Sequence, residues 1–367
     1  MQELQITVLH GDGVGPEVCR EAIRVLDAVS AKFDIKVKTR AALIGGVAIR
    51  EAGSPLPEAT IASFEGADAV LLGAVGDPSF DGESPERRPE AGLLQMRQIL
   101  GGFANLRPSR SYPALAGSSP LRKEIFDGTD LLIVRELLGG LYFGSPRGFH
   151  DSGRSAYNTM RYAADEIERV ARVAFEAAES RRGKLTSVDK ANVLETSQLW
   201  RKVVDEISND YRKVEVDHLF VDACAMHLVT DPRRFDVILT ENLFGDILSD
   251  AAAVLTGSLG MLPSATIGGR TDLYEPVHGS APDIAGKDIA NPIGAIASAA
   301  LMLRHTAKHE GSAVAIERAI DRVLDEGYRT RDISAVGAKV LTTTEMGMLI
   351  AEYAVEDEQF LAAAWGV

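Results

Sequence analysis

Cysteine is scarce. The 367 residues hold two, Cys19 and Cys224, which excludes a disulfide framework and a cysteine-rich zinc site and suits a reducing compartment. Long apolar runs are also missing. The best apolar helix candidate, Ala295 to Leu303, stops at Arg304 and is too short to span a bilayer. The opening Met1-Gln2-Glu3-Leu4-Gln5 carries no basic stretch and no apolar core of a signal peptide, so a cytoplasmic protein is expected. Positive charge is in deficit, with a net charge of −14, which argues against a nucleic-acid footprint. An anionic ligand would have to be held by basic residues concentrated locally. No internal repeat, low-complexity tract or interdomain linker stands out.

What is present is an ordinary globular composition, 46% hydrophobic and 25% charged, with length enough for two domains or one large α/β unit. Ile6 to Leu9 reads as a buried strand running into Gly11, Gly13, Gly15 and Pro16, after which Val18, Ala22, Val25, Leu26 and Val29 mark a helix. Strand, glycine turn and helix invite the dinucleotide fingerprint G-x-G-x-x-G, but Pro16 breaks it. Further strands are expected over 35–44, 67–75, 185–189, 214–222 and 235–239. A short helix is expected after Pro57, an amphipathic one from Asp165 to about Arg181 and a buried one after Pro292. Strands alternating with helices predict a doubly wound α/β sheet. The Gly-, Pro- and charge-rich stretch 76–89 reads as a loop at a strand's carboxyl end, where such sheets bind ligands.

Two constellations carry chemistry. Arg97, Arg107 and Arg135 each sit beside apolar elements, and guanidinium forks bind carboxylates bidentately. Asp246 and Asp250 lie four apart on an amphipathic helix whose start Asn242 can cap, so both carboxylates project from one side. That pair suits either two solvated aspartates or hard-oxygen ligands to Mg²⁺ or Mn²⁺. The segment 139–162 is glycine-rich and reads as a protruding hairpin. The block 273–287, rich in small residues and turn formers, lets backbone approach a ligand closely.

Side by side, these segments resemble the β-decarboxylating dehydrogenases of the isocitrate/isopropylmalate type. The resemblance runs from about Ile6 to Met346 and rests on FANLRP at 103–108, VRELLGGLYFG at 134–144, VDKANVLE at 188–195, VDACAMHLV at 221–229, NLFGDILSD at 242–250, GSLGMLPSA at 257–265 and HGSAPDIAGK at 278–287. It implies a two-domain α/β fold with a large mixed sheet flanked by helices, not a true Rossmann fold. One discontinuous domain, 1–102 with 257–367, would bind the nucleotide. The other, 103–256, would hold the dimer contact, the metal and substrate residues and an arm near 141–162. Arg97, Arg107 and Arg135 match the family's clamp on a malate carboxylate. Asp246 and Asp250 match metal ligands, with Asp222 as the ligand from the other subunit of a homodimer. Lys190 and Asn192 match residues supplied across the interface, with Lys190 next to the reacting hydroxyl, and Val193 is expected among the substrate contacts; Lys190 beside Asp222 would mediate loss of the hydroxyl proton, and Tyr142 would protonate the product enol. Tyr142 and Lys190 taken singly also fit an arm-packing aromatic and a surface charge.

The same resemblance places the substituent on the malate β-carbon against the helix carrying Glu90, Leu93 and Leu94. Two leucines suit an isopropyl group, so 3-isopropylmalate is the expected substrate; tartrate, D-malate or homoisocitrate activity and a non-catalytic regulatory role are the alternatives. For the cofactor, Asp283 and Ile284 oppose a 2′-phosphate and favour NAD, with Glu90, Glu275, His278, Gly279, Ser280, Ala281 and Asn291 completing the expected contacts. Asp77 and Phe80 depart from the family's usual glycine and tryptophan in the loop after the third strand. The tail after Met346 is longer than the family pattern and has no role in this reading.

Overall fold

The computed structural model describes residues 2–117, 119 and 121–356 of the chain; residues 357–367 of the C-terminal tail lie outside that set. The strands in chain order are β1 (Gln2–Gly11), β2 (Ile35–Ala42), β3 (Ala69–Ala74), β4 (Ala104–Arg110), β5 (Asp130–Glu136) and β6 (Arg147–His150). They continue with β7 (Ser155–Asn158), β8 (Lys184–Asp189), β9 (Glu215–Phe220), β10 (Val237–Thr240), β11 (Pro263–Ile267) and β12 (Asp272–Pro276). The chain forms two compact units. The first takes the residues through Leu100, Ser258–Ala265 and the chain from Thr271; the second takes Gly101–Gly257 and Thr266–Arg270.

In the first unit the strands run β2-β1-β3-β12-β11, with β1, β2, β3 and β12 mutually parallel. β3 is buried at every position, as its continuous apolar sequence requires for a strand covered on both faces. The helix Gly15–Lys32 carries Pro16 in its first turn, where a missing N–H costs nothing, and buries Val18, Ala22, Val25, Leu26 and Val29 along one stripe. The helix Ile293–His305 is buried on every residue from Ile293 to Leu303. It is apolar all round because it sits between β3 and β12 on one side and the helices Gly15–Lys32 and Glu310–Asp325 on others.

In the second unit the order is β4-β5-β10-β8-β9. β4 and β5 are antiparallel while β5, β10, β8 and β9 are parallel, so the sheet is mixed rather than uniformly doubly wound. Leu131, Ile133, Val188 and Ile238 on one sheet face meet Cys224 and Leu228 of the helix Val221–Thr230, and Leu248, Ala252 and Leu255 of the helix Asn242–Thr256. The helix Ala164–Ser180 packs on β5, β8 and β10. β6 and β7 form a separate antiparallel hairpin whose residues are largely exposed, Phe149 at 77%. Among the described residues no helix is long and apolar enough to cross a membrane.

Two expectations are corrected. Asp222 does not end a strand: β9 stops at Phe220 and Asp222 lies in the first turn of the next helix, where a carboxylate faces the helix's positive end. Asn242 does not cap its helix. Glu241 does so, accepting hydrogen bonds from the amides of Leu243 at 3.0 Å and Phe244 at 2.8 Å. The longer Glu side chain reaches those orphan donors from one residue earlier, which releases the Asn242 amide for other partners.

Candidate active site

In the second unit the residues converge on one carboxylate, Asp246. Arg135, near the end of β5, is 1% exposed and pairs through Nη1 with Asp246 Oδ1. Arg107, in β4, donates Nε to Asn105 Oδ1 at 2.7 Å and Nη1 to Ser249 Oγ at 2.6 Å. The same Nη1 stands 3.5 Å from both Asp246 Oδ1 and Asp250 Oδ1. Tyr142, in a short turn after β5, donates its hydroxyl to Asp246 Oδ2 at 2.7 Å, and the Arg135 guanidinium lies 5.6 Å from the Tyr142 ring centre. Two cations and a phenol thus offset the like-charge repulsion of the aspartate pair.

Burial, then the Asp246 carboxylate, pushes the Tyr142 phenol up to about 12, so near neutral pH it holds its proton. Burial raises the Asp250 carboxyl as well, opposed by Arg107. Two hard oxygen donors on one helix face fit a divalent cation that takes the rest of its shell from elsewhere. Among the described residues, no three His, Cys, Asp or Glu side chains are grouped to hold a metal. Asp222 instead meets Lys190, Nζ to Oδ1 at 2.6 Å, with the Asp222 side chain 68% exposed. The Lys190 hydrogen bond holds the Asp222 carboxyl below its ordinary range. The Lys190 turn is braced by Ser197, whose hydroxyl accepts the Lys190 amide at 3.1 Å, and by the buried Asp189, which takes the Ala191 amide and the Arg201 fork. Asn192 and Val193 follow in the same turn and are exposed.

In the first unit Arg97 sits on the helix Pro89–Leu100 and donates Nη2 to Glu275 Oε1 at 2.8 Å, while its buried Nε has no partner. Residues assigned from sequence to different ligands are therefore neighbours. On that helix Leu93 turns toward the core with Met96 and Leu100 and packs on it. Leu94, four residues from Glu90 and three from Arg97, flanks their face on the side away from that core, and Leu93, three and four residues from them, flanks it on the core side.

The loop 278–287 is held by the glycine turn that failed the dinucleotide fingerprint. The Val14 amide donates to Ser280 O at 2.8 Å. Gly13 has φ +57°, and a Cβ there would lie 1.9 Å from Ser280 O. Asp12, within the turn, binds two other segments to it, accepting the amides of Gly46 at 2.8 Å and Val47 at 2.9 Å, at the start of the helix Gly46–Ala52, and of Gly76 at 3.0 Å. The turn's own amides of Val14 and Gly15, of the kind a Rossmann turn points at a phosphate, are here bonded to Ser280 O and Asp12 O. Glu17 secures the loop's far end through the amides of Gly286 and Asp288.

Within the loop Ala281 has φ +40°, a left-handed strain concentrated where ligands are commonly bound. His278 Nδ1 lies 2.9 Å from Gly279 O. That bond requires Nδ1–H, and desolvation lowers the imidazole pKa, so buried Nε2 is a bare acceptor with no partner in the protein. A Cβ on Gly76 would come within 3.2 Å of Ser280 Oγ and 3.6 Å of Glu90 Oε1, so Glu90 and Ser280 border one spot. Gly279 borders open space, and Asp283 is exposed beside half-buried Ile284. Asn291 is engaged internally, with Asp332 at 3.0 Å, Met261 Sδ at 3.3 Å and the Ile293 amide at 3.0 Å. Asp77 pairs with Arg50 and caps the turn at Ser79, and Arg50 lies over the Phe80 ring.

The model of the isocitrate/isopropylmalate dehydrogenase family matches residues 5–350. The chain belongs to that family. Members similar to it include the 3-isopropylmalate dehydrogenase of Wolinella succinogenes, 53% identical over 97% of this chain and 99% of that protein. That of Moorella thermoacetica is 55% identical over 94% and 98%. Among solved structures, an isocitrate dehydrogenase from Methylococcus capsulatus superposes with a TM-score of 0.85 at 36% identity, covering 96% of this chain and all (100%) of that one. A β-decarboxylating dehydrogenase from Thermococcus kodakarensis gives 0.79 at 36% identity over 98% and 97%. This family member is an oxidoreductase with the family's α/β fold.

Residues that sequence reading passed over are Glu17, Asp12, Glu241, Asn242 as more than a cap, and Tyr162. The Tyr162 hydroxyl accepts the Asn242 amide at 3.0 Å and donates to Glu241 Oε2 at 3.3 Å. Only the failed fingerprint at Pro16 hinted that the glycine turn served another purpose.

Proposed function

We propose that the protein is an NAD-dependent 3-isopropylmalate dehydrogenase of leucine biosynthesis. It would oxidise (2R,3S)-3-isopropylmalate at its secondary alcohol and release the β-carboxylate as CO₂ to give 4-methyl-2-oxopentanoate. The observation that carries the reading is the convergence of Arg107, Arg135 and Tyr142 on Asp246 beside Asp250. It is supported by relatives of that name 53–55% identical over nearly the full chain.

Arg97, Arg107 and Arg135 bind and orient the malate carboxylate; the orphaned Arg97 Nε gives one donor for it. Asp246 and Asp250, with Asp222 of a second subunit, would hold Mg²⁺ or Mn²⁺. When bound, such an ion supplies Lewis-acid polarisation of the substrate oxygens, and NAD supplies the hydride acceptor. Lys190, beside Asp222, takes the hydroxyl proton as hydride departs, acting in its neutral amine form, since an ammonium has no lone pair to accept it. After CO₂ is lost, Tyr142 delivers a proton to the β-carbon, a role suited to a phenol held fully protonated. Leu94, flanking the face of Glu90 and Arg97, contacts the isopropyl group, with Leu93 backing it from the core.

His278 Nε2, a buried acceptor awaiting a donor, and the strained Ala281 support a nucleotide on the 278–287 loop, with Glu90, Glu275, Gly279, Ser280 and Ile284 around it. Asp283 would accept hydrogen bonds from a ribose diol and repel a 2′-phosphate. A homodimer sharing its active sites is supported by the exposed Lys190–Asp222 pair, with Asn192 and Val193, near a surface carrying exposed Met226, Val229 and Ile247. These assignments describe a cytoplasmic enzyme with a small-molecule substrate.

The test is NADH formation by purified protein with NAD and Mg²⁺, with 3-isopropylmalate, isocitrate, homoisocitrate, tartrate and D-malate in parallel. The expected winner is 3-isopropylmalate, by at least about 2–3 kcal/mol in kcat/KM, with Asp250→Ala inactive. A more polar acid winning would refute the substrate; binding without turnover would make the protein a regulatory homologue.

A further inference from the structure

Asn242 is fully buried and uses its whole amide. Oδ1 accepts from Arg135 Nε at 3.1 Å and Nη2 at 2.7 Å. Nδ2 donates to the carbonyls of Leu137 at 3.0 Å and Gly139 at 3.1 Å. Two accepted and two donated bonds exhaust the group's capacity, and a flipped amide would satisfy none of them.

The consequences lie on both sides of the chemistry. With Nε and Nη2 held by one oxygen, the plane of the Arg135 guanidinium is fixed and Nη1 is directed at Asp246. The helix wedges the stem as well: a Cβ on Gly245 would stand 2.6 Å from Arg135 Cγ. On the other side, the turn that leads to Tyr142 is gripped at both kinds of backbone group. Glu136 accepts the amides of Leu138 at 2.9 Å and Gly139 at 2.8 Å, while Asn242 Nδ2 donates to the carbonyls of Leu137 and Gly139. Gly144 N then closes on Gly140 O at 2.9 Å, fixing the short turn that bears Tyr142.

We propose that Asn242 is a positioning residue that ties the substrate-binding Arg135 and the proton-donating Tyr142 to one side-chain amide, an inference that rests on the functional reading above. Its two halves are separable. Asn242→Asp keeps an oxygen for Arg135 but sets a second oxygen against the Leu137 and Gly139 carbonyls. Asn242→Ala removes both grips.

Steady-state kinetics in H₂O and D₂O, with thermal melts of each variant, test this. Asn242→Asp is expected to hold the KM for the acid within about threefold and to lower kcat about tenfold or more, with a larger solvent isotope effect as protonation slows. Asn242→Ala is expected to raise the KM for the acid about tenfold as well, since the charged Arg135 fork loses the acceptor of two of its hydrogen bonds. The KM for NAD stays unchanged in both. If the variants only melt lower, while KM and the isotope effect stay as in the wild type, the role is structural and the proposal is overturned. Equal losses in both variants with no split between KM and kcat overturn it too. Should the wild type prefer another malate-type acid, the functional reading fails while the same split is read on that acid; turnover of none sinks both.

Discussion

Gly13→Ala tests whether the glycine turn exists to hold the 278–287 loop. A side chain there must adopt φ +57°, which costs roughly 1–2 kcal/mol for a residue other than glycine. Its Cβ would also lie 1.9 Å from the Ser280 carbonyl oxygen, against an ordinary contact of about 3 Å or more. Backbone cannot swing aside as a side chain does, so the loop must retreat by at least about 1 Å and loosen the Val14–Ser280 hydrogen bond. A loop pulled back by that much loses contacts to the nucleotide it is proposed to hold; losing about 1.4–2.8 kcal/mol of binding would raise the KM for NAD by about tenfold to a hundredfold, with the KM for the acid little changed. Gly53→Ala is the matched control. Gly53 has φ +74° but no atom within 4 Å of its would-be Cβ, so it bears the conformational cost alone. It should lower Tm by about 2–4 °C and leave NAD kinetics intact. The assay is NAD titration by steady-state rate and by binding fluorescence, with melts of both variants. An unaltered NAD KM in Gly13→Ala, or the same rise in Gly53→Ala, would refute the reasoning.

Other expectations are direct. Leu93→Ala should destabilise by about 2 kcal/mol, read from melts, whereas Leu94→Arg should move preference from 3-isopropylmalate toward homoisocitrate by at least about 2 kcal/mol in kcat/KM, measured on paired substrates. Asp250→Asn should cut kcat/KM at least about a hundredfold without lowering Tm, because burial already disfavours that charge; a chelator should inactivate the wild type and leave the variant's residual rate unmoved. His305 is lowered to about 4 by burial, with Arg304 and Lys308 adding and Glu310 opposing. The unfolded chain therefore binds a proton first as pH falls. Its contribution, on the order of 3 kcal/mol, is whole above about pH 6.5 and lost toward pH 4. His305→Gln should flatten that part of the pH–stability curve, read from melts between those limits.

The sequence alone determined the elements and the chemical inventory. Apolar spacing marks the helix Gly15–Lys32 and the continuous strand β3, because burial of one stripe or of both faces leaves a period that can be read locally. The motif residues Arg107, Arg135, Tyr142, Asp246 and Asp250 were legible as types suited to carboxylates, protons and cations. What stayed hidden are partnerships across long separations in sequence. Asn242 read as a cap because its local signals favour one, and only the approach of Arg135 and the 137–139 carbonyls gives its amide better partners. The glycine turn read as a failed nucleotide fingerprint because its true partner, Ser280, lies far along the chain. Leu93 and Leu94 looked equivalent until helix packing turned Leu93, on one flank of the Glu90 and Arg97 face, onto the core with Met96 and Leu100. Local propensity is written in neighbouring residues, whereas the direction of a side chain is settled by which distant element packs against it.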